Sequence, residues 1–391
     1  MPVLSIAKGE LWLRDGEQPP AAVTSPFAKE VVERDAQSRR NTGWKHAPRD
    51  EQTGVIPTAS LWGQRGAGGA AVLAPPRFVH ACAGAEPRTL YYVLSVGGST
   101  GLFRQQLDEQ REVRLFHKST LVCGGFVFNP HDRRIVMASG NPDGTMHLEV
   151  YDEEGNRKGD ITGGDCIDAA PALVPGSASA IVYQSAGVAR HPQHGHAVAT
   201  AHSTVNRLDY KSGQLEVLLE DERYDFVAPR MHPDGTLYAI RRPVDKPAVE
   251  RAGGALKDTL LMPFRLLKAV FGYLNFFSMV YGKEPLRSAG GPRTPELDQD
   301  LGKLWLHGRM IELAKVRNDP QYASNLVPRS WELVRVPPGR ALQIVLPHVA
   351  SFDIAADGSI VYTNGFDVTS WRDGQRARLD RHELIEAVRV V

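Results

Sequence analysis

The residues best equipped for chemistry are Asp168, Asp225, His348, Cys123 and Cys166, and they emerge when copies of one phrase are superposed. The copies are Phe126-Val127-Phe128-Asn129-Pro130-His131-Asp132, Pro171-Ala172-Leu173-Val174-Pro175-Gly176, Pro229-Arg230-Met231-His232-Pro233-Asp234-Gly235 and Phe352-Asp353-Ile354-Ala355-Ala356-Asp357-Gly358. Cys123 and Asp168 stand seven residues before Pro130 and Pro175, Asp225 stands eight before Pro233, and His348 eight before Ala356; Cys166 is close by. All five therefore fall near the start of equivalent strands. Carboxylates, an imidazole and thiolates that converge on one point can hold a divalent metal. The ordinary reading, which the sequence favours, is that Asp here satisfies backbone donors of the adjacent turn and that the thiols are small core residues. A second set, His191, His194, His196 and His202, has weak ligand spacing with no acidic or Cys neighbour, and reads as an exposed loop.

The elements that must position these side chains follow from the same phrase. Each copy is an apolar strand that runs into a Pro/Asp/Gly turn and then a second apolar strand, such as Ile135-Val136-Met137 or Leu237-Tyr238-Ala239-Ile240. That is a β-hairpin used as a repeated unit. Around it lie further short strands, so each unit offers four, with a period typical of propeller blades. The units are 76–117, 121–162, 164–220, 224–242 completed by 331–347, and 348–383. The N-terminal strands Val3 to Ile6, Glu10 to Leu13 and Ala21 to Thr24 lack a fourth member, and the chain ends on an unassigned strand, Leu384 to Val391. Pairing 1–27 with 384–391 closes the ring and removes open sheet edges. The prediction is an all-β, six-bladed β-propeller closed by its N- and C-terminal strands, with a helical insertion in one blade.

The fuller phrase, Asp168-Ala169-Ala170-Pro171-Ala172-Leu173-Val174-Pro175 and Asp225-Phe226-Val227-Ala228-Pro229-Arg230-Met231-His232-Pro233-Asp234-Gly235-Thr236-Leu237-Tyr238, resembles the Asp-x-x-Pro-x-aromatic-Ser-Pro-Asp-Gly repeat of the TolB-type, WD40-like propellers. The chain departs from it where Asn129, Val174, His232 and Ala355 replace the Ser. The resemblance implies six or seven blades and a binding or scaffold role, and it implies no catalytic residues.

Two stretches lie outside the repeat. The connection 28–75 opens with a charged helical stretch, Lys29 to Arg40, and carries Trp44 and Trp62. The insertion 243–330 holds an apolar run between residues 255 and 282. Arg265 and Lys268 lie within it, and Gly272 and Asn275 interrupt it, which argues against a spanning helix. An amphipathic interfacial helix would set Phe264, Phe271, Tyr273, Phe276, Phe277 and Tyr281 at headgroup depth, with Arg265 and Lys268 reaching phosphates. Its competitor is a helix packed on protein, either a partner or a second helix predicted from Leu301 to Val316.

Lys plus Arg number 46 against 45 for Asp plus Glu, so no global field steers the chain to nucleic acid. Three cysteines, Cys82, Cys123 and Cys166, suit a reducing compartment, and the N-terminus reads as lacking a signal peptide, so a cytoplasmic placement is expected, at the inner face of the membrane if the insertion touches lipid. Gly-x-Ser-x-Gly, HExxH, paired Cys-x-x-Cys and nucleotide-loop motifs are absent. The expected function is a non-catalytic binding scaffold without a cofactor, docking through 255–282 on a protein partner or membrane surface. The alternative is a metal-dependent hydrolase of lactonase type at the channel mouth, for which Asp168 and Asp225 supply carboxylates but no neighbouring Glu or Asn is in place.

Overall fold

The computed structural model describes residues 1–42, 75–97, 99–119, 121–190, 197–244, 303–323 and 325–391. The apolar run 255–282, the loop 191–196 and both Trp44 and Trp62 lie outside the described residues.

The chain opens with strands β1 (Val3–Ala7), β2 (Glu10–Arg14) and β3 (Ala21–Val23), then helix α1 (Pro26–Thr42), which covers the predicted charged stretch. An antiparallel run follows: β4 (Arg77–Ala83), β5 (Thr89–Val96), β6 (Ser99–Gln106) and β7 (Arg111–Lys118). Next come β8 (Cys123–Asn129), β9 (Arg134–Gly140), β10 (Met146–Asp152) and β11 (Arg157–Asp160). Then follow β12 (Cys166–Leu173), β13 (Ala180–Arg190), β14 (Ala197–Thr200), β15 (Thr204–Asp209) and β16 (Gln214–Leu219). One parallel bridge, Met146 to Ile167, joins these last two runs into a nine-stranded sheet. Strands β17 (Tyr224–Met231) and β18 (Leu237–Pro243) precede the insertion, whose described end forms β19 (Lys303–Leu306), β20 (Arg309–Glu312) and helix α2 (Leu313–Asn318). Strands β21 (Glu332–Val336) and β22 (Gln343–Pro347) then pair back in the order β17-β18-β21-β22, so the insertion interrupts a single sheet. The last strands are β23 (Ser351–Ile354), β24 (Ile360–Thr363), β25 (Asp367–Arg372), β26 (Gln375–Arg381) and β27 (Ile385–Val390). The terminal strand β27 pairs antiparallel with β1, giving the order β27-β1-β2-β3.

The repeated phrase works through its turn. In Pro233-Asp234-Gly235, the amide of Gly235 donates to the carbonyl of His232 at 2.9 Å and the amide of His232 to that of Thr236 at 2.9 Å. Gly235 takes φ +84, a conformation that costs a side-chain-bearing residue about 1–2 kcal/mol. The Asp234 carboxylate accepts the amide of Thr236 at 2.8 Å, and Asp357 does the same for Ser359 at 3.0 Å, so the aspartates of the phrase are local turn-closing groups.

The apolar cores lie between neighbouring sheets. Leu4, Ile6 and Leu11 pack on Phe78, Leu90 and Tyr92; further on, Val3, Ala7, Ile385 and Val388 pack on Val361 and Val368. Strands β4, β8, β12, β17, β23 and β27 lie each against the next in that order, and β27 lies against β4. At the contact of β8 with β12, a Cβ on Gly124 would stand 3.2 Å from the Ala169 Cβ and 2.2 Å from the Met146 Sδ, which sets how closely these strands approach.

The structure corrects the reading of residues 301–316 as a helix. Leu304, Leu306 and Ile311 are buried while Met310 is 42% exposed, an alternation with period two rather than 3.6. His307 and Gly308, at φ +46 and +74, form the two-residue turn that closes β19 on β20. Only Leu313–Asn318 is helical in this part of the insertion.

Candidate functional site

The five residues singled out by spacing sit near strand starts, and of them only Cys166 and Asp168 are hydrogen-bonded to each other. Cys166 Sγ donates to Asp168 Oδ2 at 3.2 Å, and Asp168, which is 2% exposed, keeps its Oδ1 buried without a hydrogen-bond partner. Burial and the adjacent Asp168 push the Cys166 thiol up to about 12; burial alone does the same to Cys123, so both are protonated thiols at neutral pH. His348 Nδ1 donates to the carbonyl of Val327 at 3.0 Å. His202 meets Glu220 at 3.3 Å. Among the described residues, no group of three or more His, Cys, Asp and Glu is arranged to hold a metal ion.

Asp225 is the most engaged of the five. Its Oδ1 accepts the amide of Ser203 at 2.9 Å; its Oδ2 accepts Arg242 Nε at 3.2 Å and Arg309 Nη2 at 3.1 Å. Arg242 belongs to β18 and Arg309 to β20, so this carboxylate ties the returning end of the insertion to the first strand of its sheet. Arg309 also donates to the carbonyl of Pro243 at 2.9 Å, and the Arg242 guanidinium lies 5.0 Å from the ring centre of buried Trp331. His307, at the hairpin tip, donates through Nε2 to the carbonyl of Ala350 at 2.8 Å. The hairpin is thus pinned across the starts of β17 and β23. The sequence carried no signal for Arg309, which lies 84 residues from Asp225.

A second polar group was missed, although the repeat contains it. Three residues before the turn position, the phrase holds Val127, Ala172, Arg230 and Asp353. Arg230, Asp353, Arg389 and Cys82 are each the next-to-last residue of β17, β23, β27 and β4. Arg230 Nε donates to Asp353 Oδ1 at 2.9 Å and its Nη1 to the carbonyl of Pro229 at 2.7 Å. Asp353 Oδ2 accepts the amide of Val390 at 3.0 Å. Arg389 donates to the carbonyl of Val388 at 2.9 Å. Burial, followed by the like charge of Arg230, draws Arg389 down to about 10, so it remains a cation at neutral pH.

Two imidazoles face this positive field. Burial, reinforced by Arg389, lowers His80 to about 4; burial, reinforced by Arg242 and Arg389, lowers His307 to about 3. Both are neutral donors at pH 7, His80 to the carbonyl of Cys123 at 3.2 Å. Unfolded imidazoles protonate near 6.5. The unfolded state therefore binds more protons below that pH, and stability falls as pH drops from about 6.5 towards 4. Compared with a His80→Gln/His307→Gln variant, the wild type is expected to lose about 1–2 kcal/mol more per imidazole between pH 7 and pH 4.5. Urea unfolding midpoints at the two pH values measure it; equal slopes in both proteins would remove these histidines as its source.

No protein-family model matches the chain, and no curated protein resembles it in sequence. Solved structures do. A nidogen/laminin complex structure matches at a TM-score of 0.50 and 7% identity, covering 99% of this chain and 97% of that one. The chain is a β-propeller. TolB from Acinetobacter baumannii matches at a TM-score of 0.49 and 10% identity over 99% of this chain, which spans 66% of that TolB chain. An oligogalacturonate lyase in complex with manganese matches at 0.35 and 11% identity, covering 74% of this chain and 61% of that one. At such identities the likeness concerns the fold alone. Among the propeller's described residues, no helix is long and apolar enough to cross a membrane.

Proposed function

We propose that the sheets form six blades, closed by β27 on β1, and that the molecule is a non-catalytic binding scaffold whose insertion, leaving after β18 and returning before β21, carries the docking surface. The observation that carries this reading is the Asp225 anchor. It clamps the returning hairpin to the first strand of its sheet through Arg309, beside the β18 residue Arg242, so whatever 255–282 engages is mechanically coupled to the disc. Phe264, Arg265, Lys268, Phe271, Tyr273, Phe276, Phe277 and Tyr281 are the contact residues of this proposal, with a protein partner as the occupant and a membrane surface as the competing one. The apolar composition of the run favours protein on several sides. A cytoplasmic location belongs to the same proposal. The lactonase-type alternative draws no support from Asp225, whose Oδ2 is shared by two arginines, and no cofactor is part of the reading.

The test compares the intact chain with one in which residues 255–282 are replaced by a short Gly/Ser linker, in affinity capture from cell extract and in co-sedimentation with anionic and neutral liposomes. Replacement is expected to abolish capture of a specific partner while leaving the far-UV spectrum of the disc intact. Loss of liposome binding instead would move the docking surface to the membrane. Unchanged capture and unchanged sedimentation would sink the scaffold reading.

A further inference from the structure

The geometry points to an anion-binding site in the channel of the propeller, formed by Arg389 and Arg230 around Asp353 and suited to a small oxyanion, a carboxylate or a phosphate. It rests on the proposed closure of the sheets around a channel, but not on the insertion.

The argument is one of charge and donor accounting. Arg230, Asp353 and Arg389 occupy the same level on three successive inner strands, with Cys82 on the fourth. Two guanidiniums thus stand at this level beside a single carboxylate, which pairs with Arg230 alone. Asp353 is already committed at both oxygens, to Arg230 Nε at 2.9 Å and to the Val390 amide at 3.0 Å. Among the described residues, no carboxylate lies within ion-pair distance of Arg389, whose guanidinium bonds the carbonyl of Val388. The next carboxylate along the same strand, Glu386, is engaged by Arg77 at 3.2 Å. The neutral imidazoles of His80 and His307 add no negative charge. A guanidinium carries five donors in a planar fork matched to carboxylate and phosphate oxygens. Holding it within the disc with most of those donors unused is unfavourable unless an anion or water completes the set.

The probe is inorganic phosphate, titrated into the full-length protein by calorimetry at constant ionic strength set with sodium chloride. Saturable binding is expected in the wild type, weakened at least tenfold in Arg389→Gln. Asp353→Asn removes the competing carboxylate while keeping an acceptor for the Val390 amide, and is expected to bind phosphate several-fold more tightly; it keeps the test decisive should Arg389→Gln fail to fold. A short peptide with a free C-terminal carboxylate, compared with its amide and with succinate, distinguishes a chain terminus from a free small acid. The proposal is overturned if phosphate, succinate and the free peptide all fail to bind the wild type. It is equally overturned if Asp353→Asn binds no more tightly than wild type, or if Arg389→Gln folds and binds unchanged. The 255–282 replacement is expected to bind phosphate as the wild type does, so failure here and failure of the docking surface are separate results.

Discussion

Asp225→Ala is expected to destabilise the propeller by about 3–5 kcal/mol, the scale for removing one partner of a buried ion pair. The substitution withdraws from Arg242 and Arg309 the carboxylate they share and leaves the Ser203 amide without its acceptor. The side chains involved are 12% exposed for Asp225, 6% for Arg242 and 19% for Arg309, so water replaces little of what is lost. Denaturant unfolding measures the change, and Asp225→Asn is the informative control: it keeps an acceptor for Ser203 but not the charge. A loss below about 1 kcal/mol in Asp225→Ala would mean that the pairs behave as surface ion pairs do. Because Arg309 belongs to the insertion, proteolysis near β19 and β20 is expected to accelerate in the variant before the disc unfolds.

Gly365→Ala is expected to cost about 2–5 kcal/mol, combining overpacking of a filled site with a side chain at positive φ. Gly365 has φ +98, and a Cβ there would lie 2.1 Å from the Cβ of Leu326, which is fully buried. The site joins three parts of the chain. Leu326 on the returning segment donates its amide to the carbonyl of Asn364 at 2.9 Å, and Ile385 at the start of β27 donates its amide to the carbonyl of Gly365 at 2.7 Å. A single methyl group therefore pushes on both the insertion and β27. Leu326→Gly made in the Gly365→Ala background separates the causes: it removes the Cβ that the new methyl group meets, and so relieves crowding but not the backbone conformation. A double variant more stable than the Leu326 single change plus the Gly365 single change predicts is the expected coupling. Strict additivity would show that the backbone conformation alone sets the cost.

Much of the fold was legible because the relevant physics is local. The turn of Pro233-Asp234-Gly235 needs a carboxylate two residues before the amide it caps and a residue tolerant of positive φ, and both requirements appear as adjacent letters. The spare strand at Leu384 to Val391 and the missing fourth member of the N-terminal strands make the pairing of β27 with β1 readable in the sequence. The hairpin at 303–312 was misread because Leu304, Trp305, Leu306, Met310 and Ile311 also suit a helical stripe. The His307-Gly308 turn, with Gly308 the only one of the pair that adopts positive φ freely, decided between periods of two and 3.6.

The candidate sites divide along the same line. The sequence by itself determined which residues share a level: Arg230 and Asp353 stand at one position of the repeated phrase, as Cys123 and Asp168 do at another. Only the tertiary structure decided what each level contains. Side chains meet through the packing of neighbouring sheets and of the returning hairpin, not through sequence distance, so Arg230 reaches Asp353 across 123 residues and Asp225 reaches Arg309 across 84. Whether a carboxylate becomes a free ligand or a saturated ion-pair partner depends on how many donors the fold delivers to it. Asp225 received two guanidiniums, Asp353 received one guanidinium and an amide, and Arg389 received no carboxylate of its own.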